Sequence, residues 1–179
     1  MARSLISLAS VASVLLLLSA CSPEQQGRPQ VVQNPTVGSS SEAIPSPQGL
    51  GEMNACSVLD KALADKEFPA GEDSDIGSNN GCRSVKVGIT TSLDLDDQQG
   101  VDDVRADPSK IYEGKIHGRR ILQVKEGDGD EGMCQVLLEV ASKARAMVTV
   151  TVGSKGNTDQ ACDDAFSIAQ AVEPQLPKA

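Results

Sequence analysis

The 179-residue chain contains no tryptophan, one histidine and only three aromatic side chains, Phe68, Tyr112 and Phe166. Base-stacking platforms for nucleic acid need more flat side chains than that, and so do aromatic cradles for sugars. The single histidine, His117, excludes any site that requires two. Basic residues are also scarce: 16 Lys+Arg stand against 25 Asp+Glu, for a formal net charge of −9. Affinity for nucleic acid comes mainly from clustered cations, so this balance argues against a nucleic-acid partner. CxxC spacing is missing, which with one distant histidine leaves no structural zinc pattern. No GxSxG elbow accompanies the available serines. No cofactor, metal or catalytic residue is therefore expected. The length fits one domain of roughly 100–200 residues, and the apolar content outside the first twenty positions suffices for one modest core.

The strongest signal lies at the beginning. Arg3 is the lone charge ahead of an apolar run from Leu5 to Leu18, which ends in Leu18-Ser19-Ala20-Cys21. This is a charged n-region, an h-region and a small-residue cleavage site, so residues 1–20 read as a signal peptide. The run is shorter than the roughly 20 residues a permanent membrane helix needs. Its last four residues resemble a bacterial lipobox. That resemblance implies that Cys21 becomes the new N-terminus with a diacyl group on its thiol, its amine being a further acylation position. Two chains anchor stably where one is marginal. The mature chain is thus expected on the extracytoplasmic face of the cell membrane, tethered by lipid rather than spanning. Its acidity would be repelled by anionic headgroups, so the anchor must hold it there.

Residues 21–52 change character. Ser, Pro, Gln, Gly and Asn dominate, with prolines at 23, 29, 35, 45 and 47 and a Ser39-Ser40-Ser41 run. No apolar period appears, so a solvated, disordered tether is expected, with a root-mean-square span of roughly 30 Å. Residues 53–177 then carry the folded domain. With Cys21 assigned to lipid, Cys56, Cys82, Cys134 and Cys162 remain, and in an oxidising compartment four cysteines read as two disulfides. Three pairings are open. Chain order suggests Cys56–Cys82 and Cys134–Cys162, which close loops of similar length.

Val58, Leu59, Ala62 and Leu63 recur with helical spacing, predicting a helix from Cys56 to Phe68 that Pro69 ends. Gly71 to Gly81 reads as a polar, acidic loop. From Cys82 the period becomes two: Val85, Val87, Ile89, Thr91, Leu93 and Leu95 share one parity, as in a single half-buried strand. Asp94 to Pro108 reads as loop or short helix, and Ile111 to Val124 as one or two strands. Val136, Leu138 and Val140 alternate, as do Val148, Val150 and Val152 after Ser142-Lys143, predicting an antiparallel hairpin. Thr158 is the expected cap of a last helix whose face carries Ala161, Cys162, Ala165, Phe166, Ala169 and Val172, closed by Pro174. The expected fold class is α+β: an antiparallel sheet of about four to six strands with an N-terminal and a C-terminal helix packed on it, and two disulfides.

The order of these features is itself informative. A lipobox and tether lead to Cys56-Ser57-Val58-Leu59, then Gly81-Cys82 opens a strand. Gly118 to Val124 follows as a strand, with Cys134 in a hairpin and Ala161-Cys162 opening a helix. Glu173-Pro174-Gln175-Leu176-Pro177 stands at the end. This resembles the actinobacterial lipoproteins grouped as domain of unknown function 3558. The resemblance implies an envelope address and a disulfide-bonded α+β domain, and it supplies no activity. One departure is Ser84, where the family pattern has an aromatic residue, typically Trp, two places after the second domain cysteine.

Few residues offer chemistry. His117 lies in Lys115-Ile116-His117-Gly118-Arg119-Arg120 and reads as an exposed strand residue. In the same run Lys115, Arg119 and Arg120 could contact an anionic envelope polymer or lipid headgroup. Asp128, Asp130 and Glu139 match positions 1, 3 and 12 of a calcium loop, but Met133 stands where the turn requires Gly. Asp94-Leu95-Asp96-Asp97 and Asp102-Asp103 could bind calcium loosely, but they read first as acidic, solubilising loops. The expectation is a non-catalytic domain that binds a ligand or partner (an envelope protein, a lipid or a glycan). The alternatives are an accessory or structural subunit of an envelope complex, and an envelope hydrolase using dispersed carboxylates.

Overall fold

A computed structural model describes residues 49–75, 77–153 and 157–178. The expected signal peptide, Cys21 and the tether up to residue 48 lie outside the described residues. The described residues fall within one compact unit. Strands β1 (Glu72–Ser74), β2 (Gly81–Lys86), β3 (Ile89–Asp96), β4 (Ile111–Ile116), β5 (Arg119–Lys125), β6 (Met133–Ala141) and β7 (Ala144–Val152) form a single sheet. Their order is β1-β2-β3-β7-β6-β5-β4, and all neighbours are antiparallel. A short helix, α1 (Ala55–Ala62), precedes the sheet, and a long one, α2 (Thr158–Val172), follows it.

The expected four to six strands are therefore seven, and the reason lies in two turns. The run from Cys82 to Leu95 is a hairpin: Val87 and Gly88 form its turn, with Lys86 opposite Ile89. A two-residue turn places residues three apart on the same face, so the inward parity switches across it. Cys82 and Ser84 are buried on β2, whereas Thr91, Leu93 and Leu95 are buried on β3. Val85 and Val87, assigned by parity to the buried set, are instead 45% and 103% exposed. His117-Gly118 likewise divides Ile111–Lys125 into two strands, both turn residues having positive φ (49° and 93°). The remaining addition is the three-residue β1, inside the segment read as loop.

The N-terminal helix is also corrected. Asn54 caps it, its side chain accepting from the Ser57 N–H, and it ends at Ala62 rather than Phe68. Beyond Leu63, Ala64-Asp65-Lys66-Glu67 offers no apolar stripe to bury, and Glu67 takes a left-handed conformation (φ 56°).

The main core lies between the sheet and the helices. Leu93 and Leu95 of β3, Val136 and Leu138 of β6, and Val148 and Val150 of β7 face Ala161, Ala165, Ile168, Ala169 and Val172 of α2, with Val58 and Leu59 of α1. Asn157, not Thr158, caps α2. Phe166 is only half-buried, and Ile168 takes the central place. Of the three open pairings, the structure has Cys56–Cys82 and Cys134–Cys162. The first joins α1 to β2 and the second joins β6 to α2, each contributing on the order of 3 kcal/mol through the loop it closes. Ser84, at the aromatic position of the family pattern, is buried and donates its hydroxyl to the Pro69 carbonyl at 2.7 Å. A hydrogen bond thus ties the chain after α1 to β2 there, in place of ring packing.

The connection from β3 to β4 crosses the opposite face of the sheet. Val101, Val104 and Ala106 cover Leu122 and Val124 of β5, Leu137 of β6 and Met147 of β7, making a second small core. This explains the unbroken Ile121-Leu122-Gln123-Val124 run, since β5 is covered on both faces.

Candidate functional site

The basic run read as an anion contact is dispersed by the pleat. Arg119 points to the helix side and is buried, its Nε donating to Glu173 Oε1 (3.0 Å), Nη1 to the Glu139 carbonyl (2.8 Å) and Nη2 to the Pro177 carbonyl (2.8 Å). Arg120 points to the opposite face and pairs with Asp102 and Glu113. Both carboxylates raise its pKa further, Asp102 first. Lys115 lies on that same face, exposed, opposite Arg120 in the β4–β5 register. The three cations do not converge, and two of them are engaged internally.

His117 sits at the tip of the β4–β5 turn rather than within a strand. It is exposed, with Nδ1 2.9 Å from Glu173 Oε2. Burial pushes the Glu173 carboxyl up, but hydrogen bonds from His117 and Arg119 outweigh it and hold the pKa below the ordinary value. The terminal Glu173-Pro174-Gln175-Leu176-Pro177 segment is thus a docked tail. Gln175 Nε2 donates to the Val58 carbonyl at 3.2 Å, and Leu176 is buried. No group of three or more His, Cys, Asp or Glu placed to hold a metal ion occurs among the described residues.

Two concavities stand out among the described residues. One, of about 210 Å³, lies between α2 and the β2–β3 hairpin. Phe68, Ile89 and Ile168 give it an apolar floor, and Lys66, Lys86 and Asp164 rim it. Its lysines are occupied: Lys66 Nζ donates to Ser167 Oγ at 2.9 Å, and Lys86 Nζ to the Lys66 carbonyl at 3.0 Å while standing 4.3 Å above the Phe68 ring.

The other is a groove of about 440 Å³ whose walls are residues 77–80 and 96–99, with Gly51 at its rim. Its lining combines the amide, hydroxyl and carboxylate groups of Ser78, Asn79, Asn80, Asp96, Asp97 and two glutamines with Leu95 and glycine backbone, and includes no aromatic residue. Each wall is held from beneath. Asn80 Nδ2 donates to the Leu50 and Met53 carbonyls (3.0 and 2.9 Å), while its Oδ1 accepts from the Ala55 N–H. Asp96 Oδ1 accepts from the Gln98 and Gln99 N–H groups at 2.8 and 3.2 Å, a local turn cap. Arg145, from β7, donates to the Gly100 carbonyl and to Gln99 Oε1 (3.1 and 3.0 Å).

Asp94 lies below the first wall. It is 3% exposed, and its Oδ1 has no hydrogen-bond partner among the described residues. A Cβ built on Gly77 would stand 3.1 Å from that oxygen, and one on Gly81 only 2.7 Å, so glycine is required where the wall passes over the carboxyl. Burial raises the Asp94 pKa from 3.8 to about 7. Arg145 pulls it down and Asp96 pushes it up, with a smaller lowering from the Ser78 N–H. Sequence reasoning placed Asp94 and Asp96 in a solubilising loop and passed over Asn80 and Arg145. No local pattern marks either, because their partners are distant in the chain.

The fold and these cavities define a disulfide-stapled domain built on one antiparallel sheet, with a groove at one end of the strands. The chain belongs to the family described as "Protein of unknown function (DUF3558)", whose profile matches residues 16–175. No curated protein and no solved structure matches it.

Proposed function

We propose that the protein is an actinobacterial lipoprotein, anchored through Cys21 at the outer face of the cell membrane, whose folded domain binds a ligand without transforming it. The address rests on the lipobox at Leu18–Cys21. The binding role rests on the groove between residues 77–80 and 96–99. Its volume of about 440 Å³ lies within the roughly 300–1,000 Å³ of small-molecule sites, whereas the apolar cleft of about 210 Å³ lies below it. The lining suits a polar ligand carrying amide or amine groups, such as a peptide portion of the envelope, because the exposed Asp97 supplies a carboxylate acceptor and the exposed Asn79 both donates and accepts. Of the buried ionisable groups, Asp96 and Arg145 hold the groove walls and Arg119 the C-terminal tail, while Asp94 is covered by the first wall at 3% exposure, which favours a fixed receptor over a reacting site.

The test is a titration followed by amide chemical shifts, using a lysine-containing tetrapeptide, a neutral oligosaccharide and phospholipid micelles as probes. The tetrapeptide is expected to move resonances of residues 77–80 and 96–99, and Gln98→Trp, which fills the groove from an exposed position, to abolish the response. A response to micelles confined to Phe68 and Ile168 would overturn the groove in favour of the apolar cleft.

A further inference from the structure

Strand β4 lies at the end of the sheet, with no strand paired to its outer side among the described residues, and its sequence is self-complementary. It is joined to β5 through the two-residue turn His117-Gly118, so the closing pair Ile116–Arg119 exchanges both backbone hydrogen bonds and the bonding residues alternate from there. Tyr112, Gly114 and Ile116 therefore direct their N–H and C=O groups to β5. Those of Glu113 and Lys115 point outward, and among the described residues they have no backbone partner. The Ile111 N–H is used locally, donating to the Pro108 carbonyl.

We propose that two copies of this chain pair antiparallel along β4, with Gly114 opposite Gly114 on the two-fold axis. In that register Glu113 of each copy stands opposite Lys115 of the other, and Tyr112 opposite Ile116. The outward backbone groups of Glu113 and Lys115 meet in two hydrogen-bonded pairs, and each pair carries opposite charges on the same face of the sheet. Sliding the strands by one hydrogen-bonded step places Glu113 against Glu113 or Lys115 against Lys115, which is repulsive. Charge thus selects one register. A single lysine on an edge strand ordinarily deters pairing. Here Glu113, two residues earlier on the same face, converts the deterrent into a match for a second copy. Glu113 also meets Arg120 of its own chain through Oε1 (2.6 Å), while Lys115 has no salt-bridge partner among the described residues. Tyr112, 49% exposed, stands opposite Ile116 of the second copy, which is already buried in its own core at 2%, so the match rests on the backbone and the charged pairs. Six residues per strand make a small interface, so self-association on the order of 10–100 μM is expected.

The test uses the full chain in its native envelope. Gly114→Cys places a thiol on the axis, where a non-hydrogen-bonded antiparallel pair brings Cα atoms within disulfide reach, roughly 4.5 Å. The added Cβ is tolerated, its nearest neighbours in Ile121 standing at 3.6 and 3.7 Å. A covalent homodimer on a non-reducing gel is expected for Gly114→Cys and not for Glu113→Cys. Adding Lys115→Glu or Glu113→Lys to the Gly114→Cys chain should each abolish it. Co-expressing the Lys115→Glu and Glu113→Lys chains should restore it, since both cross-strand pairs are then opposite in charge. Absence of the Gly114→Cys homodimer, cross-linking to a different protein, or failure of the mixed pair to recover would each overturn the proposal. Sedimentation of the otherwise native chain from 1 to 500 μM, unaffected by any engineered thiol, should show the same concentration-dependent dimer, and a monomer throughout would refute it.

Discussion

Asp94 carries the clearest pH signature in the molecule. In the unfolded chain its carboxyl loses its proton near 3.8, whereas in the fold burial defers the loss to about 7. Between those values the folded state holds the extra proton, so stability falls as pH rises through the window and levels off above it. Asp96 and Arg145, the charged groups beside it, partly cancel and leave burial in control. Asp94→Asn keeps the shape and cannot ionise. It should therefore be more stable than the native chain at pH 8, by on the order of 1–2 kcal/mol, and no more stable at pH 4. Melting curves at the two pH values check this, and a difference independent of pH would show that Asp94 does not titrate in the window. The sequence displays Asp94 and Asp96 as one acidic run with Asp97. It does not display that Gly77 and Gly81 pass over the first carboxyl, or that an arginine from β7 lies between strand and turn.

At the level of elements, alternation revealed the strands but not where they turn. The β6–β7 hairpin was legible because Ser142-Lys143 interrupts two clean alternating runs. The β2–β3 hairpin was hidden, because Val87 in its turn continues the apolar parity of Ile89 to Leu95. The C-terminal motif was legible as a pattern and opaque as a device. Its meaning lies in Arg119, whose side chain is 6% exposed and whose partner Glu173 is 13% exposed. Arg119→Met would leave Glu173 Oε1 and the Glu139 and Pro177 carbonyls without their donor, with His117 alone still on Glu173 Oε2. The expected cost is about 3–5 kcal/mol, as for breaking one side of a buried ion pair. The tail should loosen selectively, with amide exchange at Gln175, Leu176 and Lys178 rising well beyond any change in β6 and β7. Uniform acceleration across the sheet would instead mean that Arg119 supports the whole fold rather than the tail.

For the whole molecule, the two disulfides, the helix-side core and the docked tail close the described domain on itself from Leu50 onward, which is buried at 1% exposure. No helix among the described residues is long and apolar enough to cross a membrane. On the reading proposed above, membrane attachment depends on the acyl chains of Cys21, and attachment and folding become separable properties. Two acyl chains, at about 0.8 kcal/mol per buried CH₂, hold a protein where one would not, and an acidic chain of net charge −9 adds no attraction of its own to an anionic surface. Cys21→Ser should therefore move the protein from the membrane fraction to the medium almost completely while its melting temperature stays within about 2 °C of the native value, since the substitution removes nothing from the core. Fractionation, detergent-phase partitioning and the mass of the N-terminal peptide provide the measurement. Retention of the serine variant in the membrane would show that something other than lipid on Cys21 holds the chain there. Because tethering confines copies to one surface and raises their effective concentration, the same variant should also weaken the Gly114→Cys cross-link in cells while leaving self-association of the purified chain unchanged.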